Sequence, residues 1–374
     1  MKTIQMVLIQ MVLTCILLCV SITALTALTA FAGSSDQKDQ VKQVPAVGLG
    51  PYSALASPET RAVLERQARE AHEFAGKCPL PITAAANLQD IEALRRCYDE
   101  YLFPAFIARQ RARYSVKIES QAIGGVPTEI FTPTEGVTAP NQDRVLINLH
   151  GGAFIMGGRW AGEVESIPIA SVGKIKVVSV DYRLGPEHRF PTASEDVAAV
   201  YKVLMKQYRP ENIGIYGCSA GGVITAEAVA WFLKQQLPSP GAIGIFCAGA
   251  QPFGLGDSER IPGKGSLTDA LMEKHLSYFE KKDLSDPLAF PALSPTIMAR
   301  FPDTLIITST RDYMMSGAVS THAQLVKLGV SADLHVWEGL EHGFINDPEL
   351  PEAREAYDVI TRFFAYHLGR PRNH

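Results

Sequence analysis

A serine set between glycines at the end of an apolar run constrains the fold of this chain more than any other feature. The run from Ile215 leads into Gly217, Cys218 and Ser219, and Gly221 follows shortly after. A G-x-S-x-G pattern is typical of a nucleophile elbow, a sharp strand-to-helix turn that holds a serine hydroxyl above a sheet and needs small neighbours. An ordinary Gly/Ser turn gives the same pattern, so the rest of the chain must supply partners for the serine.

A second glycine-rich turn lies upstream of this serine. The apolar run 144–149 predicts a strand, and His150 and Gly151 follow it directly. Backbone N–H groups with little side-chain bulk can be aimed at the negative charge that develops on a carbonyl oxygen during acyl transfer. We predict that His150 and Gly151 brace this loop and that His150 does not exchange protons. The predicted oxyanion donors are the backbone N–H groups of Gly152, Ala153 and Ala220.

Two titratable residues follow the serine in the chain order that an elbow requires, first an acid and then a histidine. Asp312 comes after the apolar run 304–308, and His342 comes after the run 333–337. Both therefore lie just beyond the carboxyl end of a predicted strand, where parallel sheets gather their chemistry. We predict that His342 is the general base of Ser219 and that Asp312 fixes the tautomer of His342.

Four motifs together resemble the hormone-sensitive-lipase-like branch of the α/β-hydrolases, a family of bacterial esterases. The motifs are HGGAF at 150–154, DYRLGPE at 181–187, GCSAGG at 217–222, and Asp312 combined with the HGF turn at 342–344. The resemblance covers roughly residues 125 to 368. The wording at 309–312 and 334–344 is most similar to a sub-branch that includes monoterpene lactone hydrolases and small-ester hydrolases.

The resemblance implies an α/β-hydrolase fold, with a mostly parallel central sheet flanked by helices and a helical cap. It also implies a serine carboxylic-ester hydrolase that acts on short-chain acyl esters through an acyl-enzyme intermediate, without a cofactor. A lactone hydrolase with the same triad is the close alternative. Some proteins that resemble this family are receptors that bind a small ligand without turnover. Those receptors lack the histidine, so His342 favours catalysis.

Two regions are expected to form the cap. Apolar residues recur at helical spacing in 58–74 and 88–108, which predicts helices within an N-terminal cap over residues 53–125. The catalytic domain is expected to span 126–374 and to contain a cap insert at about 252–291, longer than an ordinary connection. Five side chains could line an acyl pocket or form the core of the cap: Phe106, Phe253, Leu271, Phe279 and Phe290.

The N-terminus is typical of an export signal. No charged residue occurs between Lys2 and Asp36, and the intervening apolar run ends in Ala30-Phe31-Ala32. The small residues in this tripeptide predict cleavage before Gly33, so residues 1–32 are expected to be a signal peptide. The protein is therefore expected to be secreted or periplasmic.

An uncleaved membrane anchor over residues 4–32 is the alternative, because the run exceeds the roughly 20 residues needed to span a bilayer. Contact with a membrane is expected only in that case. Residues 33–52 are polar at first and then contain proline and glycine, which predicts a flexible lead-in.

The net charge and the residue pattern limit the classes of binding partner. A net charge of −4 and a pI of about 6.2 give no electrostatic case for binding nucleic acid and no polybasic membrane patch. Cysteine and histidine spacing does not indicate a metal site. The expected partner is therefore a small ester or lactone substrate, and the sequence leaves a homodimer open.

The six cysteines fall into three pairs, of which one lies in the N-terminal apolar run. Cys218 and Cys247 are expected to be buried and inert thiols. Cys78 and Cys97 lie in the N-terminal cap, where export permits a disulfide. Sequence alone does not establish that these two residues come within bridging distance.

Overall fold

Short runs of β-branched and aliphatic residues form an eight-stranded sheet. The computed structural model of the protein describes residues 52–260, 270 and 272–370. Because helices cover both faces of the sheet, central strands such as Val145–Leu149 are buried at every position. The strands are β1 Val116–Ile123, β2 Val126–Pro133, β3 Val145–Leu149, β4 Lys176–Val180, β5 Ile213–Cys218, β6 Ala242–Phe246, β7 Asp303–Ser309 and β8 Ala332–Trp337.

The strand order explains where the predicted site residues meet. It runs β1-β2-β4-β3-β5-β6-β7-β8, with β2 antiparallel to both β1 and β4 and the remaining pairs parallel. Parallel strands are joined by crossover helices, so the carboxyl ends of β3, β5, β7 and β8 lie along one edge of the sheet. The predicted oxyanion loop, serine, acid and histidine follow those four ends in turn. The expected mostly parallel sheet is confirmed.

Two hydrophobic clusters cover the two faces of the sheet. One cluster includes residues of α5, α6 and α8, and the other includes residues of α4 and α9. The α-helices of the described residues are α1 Pro58–Lys77, α2 Leu88–Cys97, α3 Phe103–Arg113, α4 Gly158–Gly173, α5 Thr192–Leu204, α6 Ala220–Lys234, α7 Pro295–Met298, α8 Met315–Lys327 and α9 Pro351–His367.

The N-terminal cap contains the predicted helices, but one of them is interrupted. The run 88–108 forms α2 and part of α3, separated by a π-helical turn at Tyr98–Leu102. Pro104 follows this turn at the start of α3, where its missing N–H cannot continue the regular ladder. The predicted cap boundary lay at residue 125. Cap helices end at Arg113, and the next segment is β1, which pairs with β2 along its whole length.

Cap helices α1 and α2 are joined at their carboxyl ends by a disulfide. Cys78 follows α1 directly and Cys97 is the last residue of α2, and their Cα atoms are 6.0 Å apart. This separation lies within the usual range for a bridge. The structure therefore supplies the proximity that the sequence left open.

The described part of the cap insert packs as an aromatic cluster. Phe279 lies 5.9 Å from Phe253, 5.0 Å from Phe290 and 5.1 Å from Phe154 of the oxyanion loop, measured between ring centroids. All four rings are buried, so these candidates for the acyl pocket belong to a packed core. Leu271, the expected signal peptide or anchor and nearly all of the lead-in lie outside the described residues. Among the residues described, no helix is both long and apolar enough to cross a membrane.

Candidate active site

Ser219 lies at the turn between β5 and α6 in a backbone conformation that few non-glycine residues adopt. Its φ is 58° and its ψ is −121°. The turn is held by the N–H of Ser219, which donates to the carbonyl of Phe246 at 2.8 Å, and by the N–H of Val223, which donates to the carbonyl of Ser219 at 3.1 Å. A Cβ atom on Gly221 would overlap the carbonyl oxygen of Leu149, so only glycine fits there.

The structure brings the predicted serine, acid and histidine together. Nε2 of His342 is 2.8 Å from Oγ of Ser219, and Nδ1 of His342 is 2.7 Å from Oδ1 of Asp312. Gly343, with a φ of 71°, forms the left-handed turn that directs the histidine back from β8 towards the serine. The hydroxyl, the imidazole and the carboxylate are therefore placed as a nucleophile, its general base and the acid that orients the base.

Asp312 is buried, and its carboxylate accepts further hydrogen bonds. The N–H of Met314 donates to Oδ1 at 2.8 Å, and the hydroxyl of Thr308 donates to Oδ2 at 3.0 Å. Burial alone raises the pKa of Asp312. The charge and hydrogen bond of His342, together with these two donors, more than offset that effect and bring the pKa below its usual value. Asp312 is therefore ionised at neutral pH and able to fix His342.

The predicted oxyanion donors lie on a left-handed loop and at the start of a helix. Gly152, Ala153 and Phe154 have φ values of 124°, 52° and 65°. A Cβ on Gly152 would collide with the carbonyl oxygen of Met156, so this position requires glycine. Ala220 begins α6, where the helix dipole favours negative charge. Within the part of the chain that the structure describes, the N–H groups of Gly152, Ala153 and Ala220 have no intramolecular acceptor.

Two buried residues brace the oxyanion loop from within, and only one of them was predicted. The His150 ring stacks on Tyr182 with centroids 4.2 Å apart, and its Nδ1 lies 2.7 Å from the Gly151 carbonyl oxygen. Burial lowers the pKa of His150, which agrees with a bracing role rather than proton exchange. The carboxylate of Glu165 on α4 accepts the Gly151 N–H at 2.8 Å and an Asn148 amide N–H at 2.9 Å.

Glu165 has an unusual environment for a carboxyl group. It is buried beneath the loop and the elbow, and burial raises its pKa to about 7, although hydrogen bonds from Asn148 and the backbone of Gly151 and Cys218 oppose the rise. Sequence reasoning missed this residue. The available signal was a pair of glutamates, Glu163 and Glu165, within a largely apolar helix.

A cap residue that the sequence did not reveal also reaches the oxyanion loop. Arg95 on α2 donates from Nε to the carbonyl of Ile155 at 2.6 Å and from Nη2 to the carbonyl of Gly185 at 2.7 Å. The same guanidinium makes a bidentate pair with Glu187, at 2.6 and 2.8 Å. Arg95 thus ties the cap to the loop and to the DYRLGPE segment, where Arg183 pairs with Asp196.

A cavity of about 460 Å³ opens beside His342, between the cap and the turn after β8. Its walls are mainly apolar side chains of α1, the π-helical turn and α3, together with residues 340–344. Of the predicted pocket residues that the structure describes, only Phe106 lines this cavity. The volume lies in the range of about 300–1,000 Å³ that is typical of small-ligand sites.

One group among the described residues has ligand atoms close enough for a metal ion. Cys247, Asp312 and His342 place one such atom each within 4.8 Å of the others. Asp312 and His342 already bind each other, and His342 also binds Ser219, through short hydrogen bonds. Cys218 and Cys247 are buried free thiols, as expected. The hydrogen bond with Cys247, together with burial, raises the pKa of Cys218, and burial raises the pKa of Cys247 against the opposing effect of that hydrogen bond.

The sheet is mostly parallel and covered by helices, and Ser219, His342 and Asp312 meet at its carboxyl edge. This combination defines the serine-hydrolase class of α/β proteins. Residues 146–346 match the family model described as alpha/beta hydrolase fold. The chain therefore belongs to the α/β-hydrolase fold family, and the hormone-sensitive-lipase-like resemblance of its motifs is confirmed.

Known relatives and solved structures agree with this assignment. The chain is 30% identical over 243 residues to the carboxylesterase/phospholipase LipF of Mycobacterium tuberculosis, an alignment that covers 60% of this chain and 62% of LipF. It thus spans less than two thirds of that relative. It is 27% identical over 276 residues to the acetyl-hydrolase of Streptomyces hygroscopicus, covering 71% of this chain and 90% of that protein.

Two solved esterases share the fold. Esterase E25 is 31% identical, with a TM-score of 0.69 over 85% of this chain and 96% of that chain. A double mutant of esterase E40 is 25% identical, with a TM-score of 0.70 over 84% of this chain and 99% of that chain.

Proposed function

We propose that the protein is a serine carboxylic-ester hydrolase that cleaves short-chain acyl esters through an acyl-enzyme. The single observation that carries this proposal is the pair of contacts at His342, 2.8 Å to Ser219 and 2.7 Å to Asp312. A serine hydroxyl is a poor nucleophile until a base within hydrogen-bonding reach takes its proton. His342 is within that reach, and ionised Asp312 holds the imidazole in the tautomer that leaves Nε2 free to accept.

Acylation begins with attack of Ser219 Oγ on the ester carbonyl carbon. The serine proton passes to Nε2 of His342, and the carbonyl oxygen becomes an oxyanion bound by the N–H groups of Gly152, Ala153 and Ala220. The bond from carbon to the alcohol oxygen then breaks, and His342 returns its proton to that oxygen. The products of this half-reaction are a free alcohol and an ester between Ser219 and the acyl group.

Deacylation repeats the same steps with water. His342 takes a proton from water, the resulting hydroxide adds to the acyl carbon, and the collapsing intermediate regenerates Ser219 with the proton from His342. The carboxylic acid leaves. The two half-reactions consume one ester and one water and release one alcohol and one acid, so the chain's own residues suffice for the proton balance.

Small substrates are supported by the cavity and by a relative. The cavity of about 460 Å³ suits a small molecule and is lined by His342, although not by Ser219, and Phe279 of the aromatic cluster packs 5.1 Å from Phe154 of the oxyanion loop. The Streptomyces hygroscopicus relative is named for acetyl hydrolysis. Each buried methylene adds about 0.8 kcal/mol of favourable transfer only until the pocket is full. We therefore propose acyl chains between about C2 and C8 as the preferred range.

A panel of p-nitrophenyl esters tests the proposal. Wild-type kcat/KM should peak within the proposed range and fall for longer chains, while Ser219→Ala and His342→Ala should each lose about 10⁴-fold or more in kcat. Asp312→Asn should lose a comparable or smaller factor. Retained turnover by the Ser219→Ala protein, with contamination excluded, would disprove the mechanism. Faster turnover of small lactones than of every linear ester would keep the triad and replace the substrate class.

We also infer that the protein is exported before it acts. The Cys78 and Cys97 disulfide supports this inference, because such bonds persist in oxidising compartments and are rare in the cytosol. The apolar run before Gly33 supplies the corresponding signal pattern.

A further inference from the structure

Tyr313 places a phenol hydroxyl beside the reacting atoms of the triad. It directly follows Asp312, in the turn between β7 and α8. Its ring lies 4.4 Å from the His342 ring between centroids, and its hydroxyl is 3.4 Å from Nε2 of His342. Nε2 is the atom that exchanges the proton with Ser219, and its shorter contact, at 2.8 Å, is to the Ser219 hydroxyl. The phenol hydroxyl is therefore next to both reacting side chains, because it also makes a hydrogen-bonding contact with the Ser219 side chain.

Hydrogen bonds on both sides fix the backbone around Tyr313. The Tyr313 carbonyl accepts the Ser258 hydroxyl at 2.7 Å, and Ser258 and Ser316 bind each other's N–H groups at 2.9 and 3.0 Å. On the other side, Asp312 donates its N–H to the Ser309 carbonyl at 3.1 Å. Contacts from the cap insert and from β7 thus hold the residue from both sides.

The phenol is suited to donate a hydrogen bond and not to act as a base. Burial and the negative charge of Asp312 raise the pKa of Tyr313, while a contact with the Ser219 side chain opposes part of the rise. The hydroxyl therefore keeps its proton at neutral pH. Such a donor contributes most to a reaction where negative charge develops on an oxygen.

The leaving-group oxygen is such an atom, and its position is constrained by His342. To receive the proton of His342, the alcohol oxygen must come within hydrogen-bonding distance of Nε2. The Tyr313 hydroxyl, 3.4 Å from Nε2, borders the space that this oxygen must enter. The predicted oxyanion donors Gly152, Ala153 and Ala220 bind the carbonyl oxygen. They are not assigned to the alcohol oxygen, which needs a donor of its own.

We propose that Tyr313 is a further catalytic residue of the esterase reaction, one that donates its O–H to the departing alcohol oxygen. This rests on the proposed function. As the bond from the acyl carbon to that oxygen breaks, its electron pair moves to the oxygen, and His342 supplies the proton. Tyr313 retains its own proton throughout and stabilises the partial charge until the transfer is complete.

Tyr313→Phe tests the proposal, because it keeps the ring against His342 and removes only the hydroxyl. The substrates are acetate esters that share one acyl group and differ in the basicity of the leaving oxygen, from p-nitrophenyl acetate to phenyl and alkyl acetates. With p-nitrophenyl acetate the departing charge is delocalised and needs little help, so kcat/KM should change by less than about threefold. With alkyl acetates it should fall about tenfold or more. The slope of log kcat/KM against leaving-group pKa should become steeper.

Matched variants separate this effect from a structural one. Tyr201→Phe removes another tyrosine hydroxyl, one that donates to the Pro238 carbonyl at 3.1 Å, and should leave the slope unchanged. Thermal melting should confirm that Tyr313→Phe remains folded. An equal loss on every acetate ester, or no loss on alkyl acetates, would overturn the role of Tyr313. Failure of the proposed function is recognised differently, since wild type would then hydrolyse none of these esters or Ser219→Ala would hydrolyse them equally well.

Discussion

Arg95 shows how a single cap residue can act on the oxyanion donors without touching a substrate. Its guanidinium donates to the carbonyl groups of Ile155 and Gly185 and pairs with Glu187. Ile155 directly follows the left-handed stretch at 152–154 that presents the oxyanion donors. Such a charged donor fixes carbonyl orientation more strongly than a neutral one does.

We expect Arg95→Ala to lower kcat on p-nitrophenyl acetate by roughly tenfold with a smaller change in KM. A misplacement of the oxyanion donors by a fraction of an ångström weakens interactions that are made chiefly in the transition state. Arg95→Lys should restore only part of the rate, because an ammonium cannot reproduce the planar fork. Steady-state kinetics with melting curves for each variant would measure this.

Arg96→Ala is the control for Arg95, since Arg96 is the next residue on α2 and is exposed. It should leave kcat unchanged. An equal fall in both variants would indicate general loosening of α2, and an unchanged kcat in Arg95→Ala would remove the link between cap and loop.

The triad could be predicted from the sequence, whereas its supports could not. Ser219, Asp312 and His342 each follow an apolar run in an order that few architectures use, so local patterns sufficed. Arg95 and Glu165 act through backbone groups that are distant along the chain. No local pattern records such contacts. Tyr313 was adjacent to a predicted residue, but its side chain contacts His342, which lies 29 residues further along the chain.

At the level of elements, an ion cluster holds the cap on the turn that follows His342. Arg66 of α1 contacts Asp347 at 2.6 Å, and Arg109 of α3 contacts the same carboxylate at 3.5 Å. Gln67 donates to it at 3.0 Å. The side chain of Asp347 is 1% exposed, so three cap residues share one buried acceptor. These contacts also border the cavity beside His342.

We expect this cluster to make the protein less stable in acid. Burial raises the pKa of Asp347, but Gln67, Arg109 and Arg66 more than offset that effect, so the pKa is lower than in the unfolded chain. A carboxyl group whose pKa is lowered by folding stabilises the protein at pH values above its pKa in the unfolded chain. This stabilisation is lost as the pH falls through its pKa in the folded protein. Asp347→Asn should therefore be less stable near neutral pH and show a flatter decline in stability as the solution is acidified. Urea unfolding midpoints across that pH range would measure both effects.

Asp358→Asn is the matched control, because Asp358 is an exposed acid on α9. It should keep the wild-type pH dependence. If Asp347→Asn declined as steeply as wild type, the acid sensitivity would have to come from another carboxyl group.

The cap boundary illustrates why elements near an edge are hard to predict. β1 is largely exposed, so its sequence lacks the continuous apolar run that revealed β3 and β7. Only its pairing with β2 makes it a strand. The cap helices, by contrast, carry apolar residues at helical spacing and begin at side-chain caps, Ser57 for α1 and Asn87 for α2.

For the whole molecule, the cap disulfide is an argument for the export that we propose. Cys78 and Cys97 are separated by 19 residues, and closing a loop of this size stabilises a protein by about 3 kcal/mol in the chain-entropy description. That stabilisation requires an oxidising compartment. The bridge lies at the ends of the two helices that carry Arg66 and Arg95.

The export proposal predicts the number of free thiols in the mature protein. Of the six cysteines, Cys15 and Cys19 precede Gly33, and Cys78 and Cys97 are bridged, which leaves two free thiols in a mature chain that begins at Gly33. Protein recovered from an exporting host should therefore begin within one or two residues of Gly33 by N-terminal sequencing. After denaturation it should show two reactive thiols without reductant and four with it. Retained residues 1–32, four thiols without reductant and release from membranes only by detergent would establish the anchor instead. Cytosolic expression without the first 32 residues supplies the control, because four thiols should then react without reductant if the bridge depends on export.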